Sequence, residues 1–91
     1  MADLYQGEGY RAVLTDHFLK RVRERVRVGF RIPYDKIYDA VRRFPDRKCR
    51  ALLSDRYWIV CKFEPQREQV VFLTLMPKTF ILPEPSVWVL I

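Results

Sequence analysis

Residues 48–76 read KCRALLSDRYWIVCKFEPQREQVVFLTLM. Apolar runs alternate with turn formers: Asp55-Arg56, then Pro65-Gln66-Arg67-Glu68-Gln69. The runs are too short for helices and rich in β-branched and aromatic residues, which is the pattern of strands. The reading predicts strands over residues 48–54, 57–64 and 70–76, with a turn at Asp55-Arg56 and a stop at Pro77. Tyr57-Trp58-Ile59-Val60-Cys61 is apolar at consecutive positions, so the middle strand should be covered on both faces. Links this short join antiparallel neighbours, so the three strands should form a meander.

Upstream of residue 48 the period becomes helical. Thr15 and Asp16 offer an N-cap, and Gly29 a stop, for a helix over residues 16–28. Phe18, Leu19, Val22 and Val26 share one face of it at 100° per residue. A second helix starts at Pro33 and must end by Pro45, with Tyr34, Ile37, Tyr38, Ala40, Val41 and Phe44 on one face. Two amphipathic helices in succession should pack as a hairpin. Residues 10–14 alternate weakly and give a short strand ahead of them. The fold class is therefore α+β: a helix pair, preceded by a short strand, on an antiparallel sheet of three to five strands. The length of 91 residues suits one domain. Residues 77–91 form an apolar tail, either an edge strand or a docking segment for a partner or second copy.

The chain is 49% hydrophobic and 31% charged, a globular balance. Its net charge of +6 is uneven: residues 1–50 carry thirteen Lys/Arg against seven Asp/Glu, while residues 51–91 carry four of each. A positive field concentrated on one part of a molecule gathers polyanions, RNA first among them. Lys20, Arg23, Arg27, Arg31, Arg42 and Arg43 are the expected phosphate contacts. Met1-Ala2-Asp3-Leu4-Tyr5 lacks the basic and apolar regions of a secretory signal, and no run is long enough to span a membrane, so the expected location is cytoplasmic, with no membrane partner. Cys49 and Cys61 are then expected as thiols, although their adjacent strands would also allow a cross-strand disulfide. Two Cys and one His without close spacing make no metal signature, and no cofactor is expected.

The candidate for chemistry is His17-Phe18-Leu19-Lys20-Arg21-Val22-Arg23-Glu24-Arg25. His17, Arg21 and Arg25 recur every four residues, which lines them along one helix face beside the buried stripe. RNA cleavage through the 2′-hydroxyl needs a proton acceptor, a proton donor and positive charge on the phosphate. One His and two Arg supply one proton-transfer group and the charge. Tyr10, Glu24, Tyr57 and Lys62 are the candidates for the second.

His-x3-Arg-x3-Arg at the start of a first helix, then a short second helix and a strand meander, resembles the BrnT toxins within the broad RelE/ParE toxin-like group. The likeness spans roughly residues 10–76 and includes the strands Tyr57-Trp58-Ile59-Val60-Cys61-Lys62-Phe63 and Val70-Val71-Phe72-Leu73-Thr74. It implies a metal-independent endoribonuclease of the mRNA-interferase type, neutralised by an antitoxin, with His17, Arg21 and Arg25 in catalytic roles. The connection Val28-Gly29-Phe30-Arg31-Ile32-Pro33 and the apolar tail depart from that pattern. The alternative is a non-catalytic phage or mobile-element protein that binds nucleic acid or inhibits a host nucleic-acid machine. A homodimer through the tail is a further expected partner state.

Overall fold

The computed structural model describes residues 3–26, 29–80 and 86–91. The elements, in order, are β1 (Asp3–Gln6), β2 (Arg11–Leu14), α1 (Asp16–Arg25), α2 (Tyr34–Val41), β3 (Lys48–Leu53), β4 (Tyr57–Glu64), β5 (Gln69–Pro77) and β6 (Val87–Val89). The fold is α+β, and the three central strands lie within a residue of their expected bounds. The first turn is shifted by one residue. Ser54 and Asp55, not Asp55 and Arg56, take positive φ, and the Arg56 amide closes the turn on the Leu53 carbonyl at 3.1 Å. Two consecutive left-handed residues match the twist of a tight hairpin.

The sheet corrects the expected antiparallel meander. It has six strands in the order β1-β2-β5-β4-β3-β6, and it is mixed. β3–β4 and β4–β5 are antiparallel as expected, but β2 pairs with β5, and β6 with β3, in parallel. The cause is the helical crossover. α1 and α2 carry the chain from the end of β2 back to the starting side of the sheet, so β3 runs in the same direction as β2. Two antiparallel steps later β5 again points that way and accepts β2 along its free edge. The strand expected over residues 10–14 is present as β2. Val87–Val89, within the tail, form an edge strand, β6, beside β3.

β1 was not anticipated. It folds back on β2 through residues 7–10, where the Gly7 amide donates to the Tyr10 carbonyl at 3.0 Å. The Tyr10 ring occupies the space that a Cβ on residue 7 would need.

Thr15 caps α1 as expected. Its Oγ1 accepts from the Phe18 amide at 3.2 Å and donates to the Phe72 carbonyl at 2.8 Å, tying the helix start to β5. A cap of this kind contributes about 1 kcal/mol. The helix stops at Arg25, sooner than Gly29, with Val26 already extended. The Tyr57 hydroxyl donates to the Arg25 carbonyl at 2.5 Å and replaces the bond that a further turn would have made. Residues 27 and 28, part of the expected helix, lie outside the described residues.

The expected hairpin of helices is a pair that rests on the sheet instead: α1 lies on β5, and α2 faces β4. Phe18 of α1 is fully buried against Phe72, ring centroids 5.3 Å apart. Ile37 and Val41 of α2 are fully buried too. Tyr38 stacks on Tyr10 at 4.1 Å and meets Phe63 edge-on. Leu19, Val22 and Val26 flank the same core, so the apolar stripe reads correctly.

Cys49 and Cys61 lie directly opposite each other across β3–β4, and both are buried free thiols. Burial pushes both thiols up from their ordinary range, so they stay protonated. Alternation puts Cys49, Ala51, Ile59 and Cys61 under the helices, and Arg50, Trp58, Val60 and Lys62 on the face without helices. No helix among the described residues is long and apolar enough to cross a membrane.

Candidate nucleic-acid interface

Helix α1 positions the proposed catalytic set. His17 lies in its first turn and is exposed. Arg21, one turn on, is half-buried, and its Nη1 meets the Glu24 carboxylate at 3.0 Å. Arg25, another turn on, bends toward the sheet: its Nη1 donates to the Leu75 carbonyl at 2.6 Å. Its guanidinium carbon also sits 5.9 Å from the Phe80 ring centroid. The three residues thus follow one helix face, but they do not converge. Eight residues of helix separate His17 from Arg25 by about 12 Å along the axis.

The four candidates for a second proton-transfer group are scattered. The Tyr10 hydroxyl donates to Asp35 at 2.6 Å; burial and that carboxylate push the phenol well above its ordinary range. Glu24 is engaged with Arg21, and Tyr57 with the Arg25 carbonyl. Lys62 lies on the opposite side of the sheet from the helices. Among these, Tyr57 is the one hydrogen-bonded to Arg25, through its main chain. With Val26, Phe30, Ser54 and Arg56 they line a shallow pocket of about 290 Å³. Arg56, an exposed cation in the β3–β4 turn, was not singled out from sequence; a basic residue in a tight turn gives no local sign of what it faces.

The phosphate-contact set fares differently. Lys20 and Arg23 on α1, Arg31 before α2, and Arg42 and Arg43 after it are all exposed. None of the five forms an ion pair among the described residues. Arg42 covers the Tyr38 ring, 5.5 Å from its centroid, which fixes the side chain while its charge stays in solvent. Arg27, the sixth expected contact, lies outside the described residues. Residues 16–44 hold nine Lys/Arg against four Asp/Glu, a net +5 out of the chain's +6. Of the four carboxylates, Glu24 and Asp35 are engaged by Arg21 and Tyr10. The excess therefore sits in long side chains that reach water.

No protein family, curated protein or solved structure matches the chain. The chemistry must be argued from the residues themselves. Among the described residues no group of three or more His, Cys, Asp and Glu side chains could hold a metal ion. What the helical layer offers is a display of exposed cations over a sheet. That arrangement suits the phosphate backbone, which is bound chiefly through charge and little through shape.

Proposed function

We propose that this protein binds RNA through its helical layer, with Lys20, Arg23, Arg31, Arg42 and Arg43 as the phosphate contacts. The observation that carries the reading is that all five are exposed and without an ion pair among the described residues. A cation already paired gains little from a phosphate; one held in water exchanges its counterions for the backbone and gains their release. His17, exposed in the first turn of α1, would extend the same surface.

A toxin-like ribonuclease is the second reading. It draws on the His17-Arg21-Arg25 spacing and on the order of a strand, two helices and an antiparallel run of three strands. In that reading the RelE/BrnT-like fold and an antitoxin partner come as a set. The geometry favours binding over cleavage, because Arg21 and Arg25 are engaged by Glu24 and the Leu75 carbonyl. Glu24, the candidate on the same helix, stands seven residues beyond His17, about 10 Å along the axis. Cleavage would require Arg21 to exchange Glu24 for the scissile phosphate.

Incubating the purified protein with end-labelled single-stranded RNA, duplex RNA and DNA separates the two. The expected result is a shifted, intact RNA band at low salt and no new fragments. Fragments that vanish with His17→Ala would establish the ribonuclease instead. No shift with any nucleic acid at low salt would sink both readings.

A further inference from the structure

On the face without helices, three adjacent strands carry an arrangement that the helical contact leaves unused. Trp58 of β4, Arg50 of β3 and Trp88 of β6 form a compact three-membered ladder in which each touches the other two, the indole centroids lying 5.2 Å apart. Arg50 and Trp88 are direct partners in the parallel β3–β6 register. The Arg50 guanidinium carbon lies 5.2 Å from the Trp58 ring centroid and 4.8 Å from that of Trp88. Nε and Nη2 donate to the Ser86 hydroxyl at 3.2 and 3.0 Å.

Arg50 is only 7% exposed, yet among the described residues no carboxylate pairs with it. Among the described residues, a hydroxyl and two rings hold the cation in place. Out of bulk water its field is less screened than that of a surface arginine. Lys62 adds a second charge on this face, opposite Lys48 in the β3–β4 register. Glu64, on the same face, stands at the far end of β4, where Gln69 donates to it at 2.6 Å.

Trp88 shows the complementary feature. Arg50 covers one side of its ring, and the residue is still 66% exposed. An indole held in place by a cation and open on its other side is a stacking platform, and every nucleobase has a π-face to offer it. A sheet surface with an aromatic platform and flanking cations is suited to unpaired bases and excludes duplexes, whose bases are already stacked.

We propose that the Trp58–Arg50–Trp88 ladder binds an unpaired base of a single-stranded nucleic acid. The base stacks on Trp88, and the adjoining phosphate lies in the field of Arg50 and Lys62. This rests on the nucleic-acid reading for the nature of the ligand and adds a preference for single strands. Ribose and deoxyribose chains share the chemistry.

Fluorescence anisotropy with a labelled oligouridylate, an oligodeoxyuridylate and a duplex RNA tests it. Trp88→Ala is expected to weaken binding of the single strands about tenfold and to leave duplex binding unchanged. Trp88→Leu, which keeps apolar bulk without a π-system, carries the same expectation and guards against loss of the edge strand. Trp88→Phe should retain most of the affinity. A loss confined to one of the two oligonucleotides names the sugar of the natural ligand. Single-strand binding unchanged in Trp88→Ala and Trp88→Leu would overturn the proposal. So would a dimer that dissociates in these variants with oligonucleotide binding intact, which would assign Trp88 to a contact between copies. A Lys20→Glu/Arg23→Glu variant that loses all three ligands while the Trp88 variants lose none leaves the helical reading standing alone; the reverse pattern leaves the ladder alone.

Discussion

Phe72→Ala is expected to lower the stability of the fold by about 3–5 kcal/mol, the upper range for a core truncation. Phe72 is fully buried in β5. Phe18 of α1 packs against it at 5.3 Å, and Tyr34 of α2 meets it edge-on at 5.2 Å. Leu14 is its partner in β2 and Cys61 its partner in β4. One ring therefore joins both helices to the centre of the sheet, and its removal leaves a cavity that rigid strands cannot close. A small domain has roughly 5–15 kcal/mol in total, so the variant should be near its limit. Urea denaturation followed by far-UV circular dichroism would register a lower midpoint at an unchanged slope. Leu4→Ala, at an exposed position on β1, is the control and should shift stability by less than about 0.5 kcal/mol. A midpoint for Phe72→Ala as high as the control's would mean the aromatic junction is not the core.

Reversing charge at Lys20, Arg23 and Arg43 together is expected to weaken RNA binding by about a hundredfold or more at moderate salt. The three are exposed, Lys20 and Arg23 on α1 and Arg43 just past the end of α2. None packs into the core, so the folded state should be retained, and an unaltered urea midpoint would show it. Reversal both removes attraction and adds repulsion of the phosphates, which is why the effect should exceed that of neutral replacements. The matched reversal of Arg21 should have a smaller effect, because Glu24 already neutralises that side chain. If Arg21→Glu proved the more damaging change, the site would be the catalytic row and not the solvent-facing one.

The strands were legible because side-chain alternation and turn chemistry are local. Tyr57-Trp58-Ile59-Val60-Cys61 reads as covered on both faces, and Ile59 and Val60 are both buried, one under the helices and one on the other face. Parallel pairing was not legible. β2 finds β5 because two intervening helices reverse the chain, and nothing within Arg11–Leu14 specifies that neighbour. β1 was missed because Asp3-Leu4-Tyr5-Gln6 mixes polar and apolar residues over four positions, too few to fix a period.

The site divides the same way. Exposure of Lys20, Arg23, Arg42 and Arg43 follows from helical periodicity. The engagement of Arg21 was visible in principle, since Glu24 stands three residues on. That of Arg25 was not, because its carbonyl partner Leu75 is fifty residues away. Arg50 illustrates the limit most clearly. Alternation places it on the face away from the helices, where an arginine would be expected in water, yet rings from two other strands enclose it. Only the fold brings Trp58 and Trp88 to it.

The salt dependence of RNA affinity addresses the helical contact most directly. Affinity for one labelled RNA would be measured from low to high salt with the wild-type protein and with the Lys20→Glu/Arg23→Glu/Arg43→Glu variant. The expected wild-type plot of log affinity against log salt is steep, with a slope of several units. The variant's should be shallower by about one unit per lost contact. Wild-type affinity that is indifferent to salt, or two plots of equal slope, would contradict a phosphate backbone lying on the helices.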